Sequence, residues 1–109
     1  MRTTSFLLLI LLFVSPVFAG EIYGGIELSG KPIAPGVEVE IKCPTGTYST
    51  NTDEIGSYRL YVKEKAMCTL TVKYGKEPYP FIEVYSYEST VRYDLVLEAR
   101  EGRYYLKRR

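Results

Sequence analysis

The 109-residue chain has no His and no Trp, only two Cys, and no long apolar run beyond its first residues. Each shortage excludes something. Without His, the commonest general base and the commonest metal ligand are gone. No Ser-His-Asp or Cys-His arrangement is possible, and two Cys alone cannot complete a zinc site. The glycine motifs that cradle phosphates and dinucleotides are missing, as is the G-x-S-x-G nucleophile elbow. The chain therefore reads as non-enzymatic, with no catalytic residue, no cofactor and no metal site predicted. Its length holds one domain at most.

The one long apolar run sits at the start. Arg2 supplies a positive flank, Phe6–Val14 is unbroken and apolar, and Ser15-Pro16 leads to Val17-Phe18-Ala19. That order predicts a secretory signal peptide over Met1–Ala19, cleaved after Ala19. The competing reading is a membrane anchor, but Phe6–Phe18 is interrupted by Pro16 and falls short of the ~20 residues needed to span. No Cys follows the run, so no lipid anchor is expected. The expectation is an exported protein, periplasmic or secreted and not membrane-spanning, whose domain occupies residues 20–109.

Net charge is close to zero overall, with 14 Lys and Arg against 13 Asp and Glu. The balance is uneven along the chain. Gly20–Ala99 carries 8 basic and 12 acidic residues, whereas Arg100–Arg109 carries five basic residues and one Glu. This basic C-terminal strand or tail is read either as a solvated end or as a dock for an anionic surface. The acidic body and the export signal argue against nucleic acid.

What the sequence does contain is alternation with a period of two, broken every 8–12 residues by Gly, Pro, Asn or Asp. That pattern predicts an all-β sandwich or barrel. The candidate strands are Glu21–Ser29, Val37–Cys43, Thr47–Thr52, Ser57–Lys63, Met67–Tyr74, Phe81–Tyr87 and Thr90–Glu98, with Arg103–Lys107 as a final short one. Inward positions include Ile22, Ile26, Val39, Ile41, Tyr58, Leu60, Val62, Leu70, Val72, Ile82, Val84, Tyr93, Leu95 and Leu97. Gly24-Gly25 inside a strand marks a bulge or a close backbone approach. Asn51, Asp53 and Glu54 match no calcium loop and read as turn residues, with Asp53–Gly56 forming the turn.

Cys43 ends one strand and Cys68 lies near the start of another, both on inward faces. In an oxidising compartment, and with those strands antiparallel, a Cys43–Cys68 disulfide is predicted. Tyrosine is the residue in excess, eleven in all. Tyr58, Tyr74 and Tyr93 are assigned to the core. Tyr61, Phe81, Tyr85 and Tyr87 point outward and are the candidate partner-binding residues, since Tyr offers a flat apolar face and a polar tip.

Several stretches together resemble one family. Ser29-Gly30-Lys31-Pro32 through Gly36-Val37-Glu38-Val39, Thr52-Asp53-Glu54-Ile55-Gly56-Ser57-Tyr58-Arg59-Leu60, Cys68-Thr69-Leu70-Thr71-Val72 with Tyr74-Gly75, and Asp94-Leu95-Val96-Leu97 follow the order of motifs in carboxypeptidase regulatory-like domains. The resemblance spans about Gly20–Glu98. It implies a single Greek-key, transthyretin-like β-sandwich of about seven strands, used as a non-catalytic module. Two enzyme groups share that kind of sandwich, hydroxyisourate hydrolases and intradiol dioxygenases. Both depend on His, which this chain lacks. The function expected is binding of another protein at the cell envelope or surface. The alternative is a carbohydrate-binding module in which exposed Tyr stack on a polysaccharide.

Overall fold

Alternating side chains force a chain into strands when one face can be buried. The computed structural model describes residues 20–109, and the predicted signal peptide at Met1–Ala19 lies outside them. Among the described residues there are ten strands and no helix. They are β1 (Gly20–Leu28), β2 (Lys31–Pro32), β3 (Glu38–Cys43), β4 (Gly46–Asn51), β5 (Ser57–Val62), β6 (Ala66–Val72), β7 (Phe81–Ser86), β8 (Val91–Arg92), β9 (Leu95–Arg100) and β10 (Arg103–Arg108). The count exceeds the seven or so expected because β2 and β8 are two-residue fragments and β10 is a full strand.

The strands form two sheets packed face to face as a sandwich. In the first, β10, β9, β1 and β2 follow one another, and β5 and β8 also pair with β1. In the second the order is β4-β3-β6-β7, antiparallel throughout. The centre of the first sheet is β1. Its first half runs antiparallel to β5, from Gly20↔Val62 to Gly25↔Ser57, and its other side runs parallel to β8 and β9.

The single strand expected over Thr90–Glu98 is divided at Tyr93-Asp94. The register is nevertheless continuous, with Ile22 opposite Val91 and Ile26 opposite Leu95. At the interruption a side chain replaces a rung of the ladder: the Gly25 N–H donates to Asp94 Oδ1 at 2.9 Å. Of the two readings of Gly24-Gly25, close approach is the one found at Gly24. A Cβ there would lie 2.0 Å from the Tyr93 carbonyl oxygen.

Between the sheets lie Ile22, Ile26, Val39, Ile41, Tyr58, Leu60, Val62, Leu70, Val72, Val84, Tyr93, Leu95 and Leu97, all buried. Ile82 and Tyr74 are half-buried and pack against this core. The two core phenols are satisfied as buried polar groups must be. Tyr58 donates to the Tyr93 carbonyl at 2.7 Å, and burial pushes the Tyr58 phenol well above its ordinary pKa. Thr52, at the end of β4, is buried as well. Its hydroxyl donates to the Ala34 carbonyl and accepts from the Val37 N–H, which ties down the loop before β3.

The turn at Asp53–Gly56 is a local construction. Asp53 Oδ1 accepts from the Ile55 and Ser57 N–H groups, the Gly56 N–H returns to the Asp53 carbonyl, and Gly56 sits at φ 77°. That use of the carboxylate is the side-chain turn for which Asp is favoured.

Cys43 and Cys68 form the disulfide. The β3–β6 register explains why: Lys42 lies opposite Thr69, so the next pair across the strands is Cys43 and Cys68. Their Cα atoms are 4.4 Å apart, the separation of a directly opposed pair that shares no ladder hydrogen bonds.

Of the two readings of the basic segment, strand or tail, the strand is the one found: Arg103–Arg108 forms β10, close to the short strand expected over Arg103–Lys107. A two-residue turn at Glu101-Gly102, both at positive φ, folds β10 back onto β9. This is the hairpin turn that matches strand twist. Tyr104 and Leu106 face inward and pack on the core. Lys107 pairs with Glu98 at 2.8 Å, and Arg109 pairs with Glu27 and, at 3.8 Å, with Asp94. The acidic body and the basic end, separate blocks in sequence, are thus partly neutralised by strand pairing.

Two stability outcomes follow from this architecture. The Cys43→Ala/Cys68→Ala variant loses roughly 3.5 kcal/mol, the chain-entropy value for a 25-residue closure, measured by urea denaturation against the oxidised protein. Gly24→Ala loses about 3 kcal/mol or more, because its methyl group must displace strand backbone; a thermal midpoint within a degree or two of the parent refutes the close approach.

Candidate functional site

The outward positions of β7 form the aromatic surface. Alternation places Phe81, Glu83 and Tyr85 on the outer face of the second sheet, with Tyr87 just past the strand end. Tyr85 and Tyr87 stack with ring centroids 4.6 Å apart and planes 18° from parallel. Met67, directly across from Tyr85 on β6, extends the same patch. Met67 is 56% exposed and Tyr87 47%, so the patch is open to solvent. Phe81 also lies on β7 but at its far end, opposite Thr71, with Glu83 between it and the tyrosines. Tyr61 is on the other sheet, on β5 opposite Glu21. Of the four residues singled out by sequence, two are brought together and two stand apart.

Edge strands expose unpaired backbone, and β7 is the last strand of its sheet. Here a side chain from the opposite sheet covers part of it. The Tyr93 phenol accepts from the Tyr85 N–H at 2.9 Å and lies 3.3 Å from the Tyr85 carbonyl, to which it donates. This arrangement holds the Tyr85–Tyr87 pair at a defined place along the edge.

A second concave region lies beside the first sheet, with a volume of about 480 Å³. Tyr23 faces it, with Arg59 and Arg92 guanidinium carbons 5.3 and 5.7 Å from its ring centroid. Both cations are engaged: Arg59 pairs with Glu21, and Arg92 with Asp94 at 2.9 Å. The Gly25 N–H first, then the Arg92 and Arg109 guanidinium groups, hold the Asp94 carboxyl below its ordinary range. The region is an ion-paired wall in which every carboxylate has a partner already, and this explains its structural value better than a ligand does.

Sequence reasoning missed Met67, Tyr23 and the role of Asp94. Met67 stands alone in a strand that otherwise alternates cleanly, and only the β6–β7 register shows what it touches. The Asp53 turn, weighed earlier against calcium, uses its Oδ1 on two backbone N–H groups. Among the described residues no cluster of three or more Cys, Asp or Glu is placed to hold a metal ion. No helix among them is long and apolar enough to cross a membrane. No protein-family model matches the chain, and no curated protein matches it.

The Asp94 network makes a pH prediction. Its native pKa lies below the unfolded value, so its contribution is complete above about pH 4 and is lost as pH falls through the native pKa. Asp94→Asn is therefore less stable than the parent at neutral pH. The difference narrows as pH drops from about 4 toward 2, measured by denaturant titration at each pH. A constant difference across that range removes the charge from the explanation.

Proposed function

We propose that the chain is an exported, non-catalytic β-sandwich module that binds another protein at the cell envelope or surface, through the Met67, Tyr85 and Tyr87 patch. The signal-peptide pattern supports export, and a disulfide suits an oxidising compartment, periplasmic or extracellular. The resemblance to carboxypeptidase regulatory-like domains supports a transthyretin-like Greek-key fold and a role in binding. The observation that carries the reading is the stacked Tyr85–Tyr87 pair beside an exposed Met on an edge strand. Exposed aromatic and Met side chains grouped in this way are the composition of interface centres.

The same geometry favours protein over polysaccharide. The two rings lie face against face, so each has at most one face left for a ligand. They do not make the flat double platform on which a sugar chain would stack. Phe81 and Tyr61 are too far removed along the strand or on the other sheet to complete one.

The test is capture of partners from envelope extract by the parent protein and by Tyr85→Ser/Tyr87→Ser. The expected result is loss of specific partners by roughly tenfold or more, as for a hot-spot pair, with thermal stability nearly unchanged. Equal recovery of the same partners by the double variant overturns the assignment of this patch. Retention on a polysaccharide matrix that the double variant loses supports the carbohydrate alternative instead.

A further inference from the structure

We propose that the outer edge of β10 takes up an extended, acidic segment of another protein as an added strand of the first sheet. The inference deepens the interaction reading and rests on it, but it uses a different surface and names the chemistry of the partner.

The backbone argument comes from parity. In an antiparallel pair, alternate residues bond to the neighbour and the rest point away. The Glu101-Gly102 turn is closed by Arg100 and Arg103, and at the other end the Arg109 N–H donates to the Asp94 carbonyl at 2.8 Å. Both ends set the same phase: Arg103, Tyr105, Lys107 and Arg109 bond toward β9. The N–H and C=O groups of Tyr104, Leu106 and Arg108 face outward, and among the described residues no hydrogen bond engages them. The contrast with β7 is direct, because there the Tyr93 phenol occupies the Tyr85 backbone.

The side chains define what fits. Arg100 and Arg103 lie 4.3 and 5.5 Å from the Tyr105 ring centroid, and Arg108 lies 4.4 Å from that of Tyr93. Lys107 and Arg109 have carboxylate partners, whereas Arg100, Arg103 and Arg108 have none within 4.0 Å among the described residues. The Arg108 guanidinium donates to the Arg92 carbonyl at 3.2 Å, so two cations without a carboxylate partner, Arg100 and Arg103, stand at the hairpin end beside the open edge. Beside the edge, Tyr104 and Leu106 meet Tyr79, Pro80 and Phe81 at a cleft of about 300 Å³ that Arg103 and Tyr105 also line. A strand laid on β10 points alternate side chains toward the aromatic and aliphatic groups of this cleft and the others toward Arg103 and Lys107. The segment that fits alternates apolar and acidic residues.

A second copy of the chain does not fit as well. Antiparallel pairing of two β10 strands puts Arg103 and Lys107 of both copies on one face of the joined sheet, and like charges gathered there disfavour that pairing.

The test uses the ¹⁵N-labelled, disulfide-intact protein and capped peptides as long as β10. An alternating Glu-Val peptide is expected to shift the amides of Tyr104, Leu106 and Arg108 and to slow their hydrogen exchange about tenfold at saturation. N-methylation of the peptide amides facing β10 abolishes this, whereas methylation of the opposite set does not. Arg100→Glu/Arg103→Glu and an alternating Lys-Val peptide each weaken binding about tenfold or more. Tyr85→Ser/Tyr87→Ser binds the peptide normally, so failure at this edge and failure of the β7 patch are distinguishable. The proposal is overturned if millimolar Glu-Val peptide leaves these amides unmoved, or if binding ignores N-methylation. Equal binding of the Lys-Val peptide, or the same amides shifting with protein concentration alone, also overturns it; the latter marks pairing between copies.

Discussion

Tyr93 is the residue on which the two sheets depend. Its N–H donates to the Tyr23 carbonyl of β1, and its own carbonyl accepts the Tyr58 phenol of β5. Its ring lies beneath the Arg108 guanidinium of β10, and its hydroxyl reaches across the sandwich to the backbone of Tyr85 on β7. This one residue thereby engages four strands from both sheets. A buried polar group is costly when unpaired and specifying when fully paired. Tyr93 satisfies its hydroxyl only when the two sheets stand in this relation, so it helps define their registration as well as filling space. Gly24 is the complement, since only a residue without a Cβ lets β1 lie against the Tyr93 carbonyl.

From that connection the two exposed edges acquire different characters. The β7 edge is partly closed by the Tyr93 hydroxyl and carries the stacked tyrosines on its outer face. The β10 edge receives no such cover and is bordered by arginines without carboxylate partners. Edge strands commonly avoid self-pairing by carrying charge. Here the same charge that repels a second copy is attractive to an acidic strand, so protection and selectivity arise from one set of side chains.

Much of the fold was legible in the sequence, because period-two alternation is a direct image of a half-buried strand. Val39, Ile41, Tyr58, Leu60, Val62, Leu70 and Val72 lie inward as their positions require, and the breakers fall between strands. The Cys43–Cys68 bridge was legible for a related reason: two inward Cys at neighbouring strand ends meet if those strands are antiparallel, and they are. The candidate site was less legible. Alternation shows that Tyr61, Phe81, Tyr85 and Tyr87 face outward, but it does not carry the distance between residues on different strands. It therefore could not separate the stacked pair from Phe81 and Tyr61, nor place Met67 beside it.

The basic segment shows the same boundary. Its composition is plain in the chain, but whether Arg100–Arg109 is a tail or a strand turns on whether Glu98, Glu27 and Asp94 come within reach of Lys107 and Arg109, and that is a tertiary matter. By itself the sequence determined the class of fold, the inward set, the turns and the pairing of its two cysteines, all of which rest on local periodicity and local turn chemistry. Strand order, the cover that Tyr93 gives one edge, the open edge at β10 and the grouping of aromatic side chains were decided by tertiary structure. They depend on which strands become neighbours, and no residue records its neighbour in a pattern of period two.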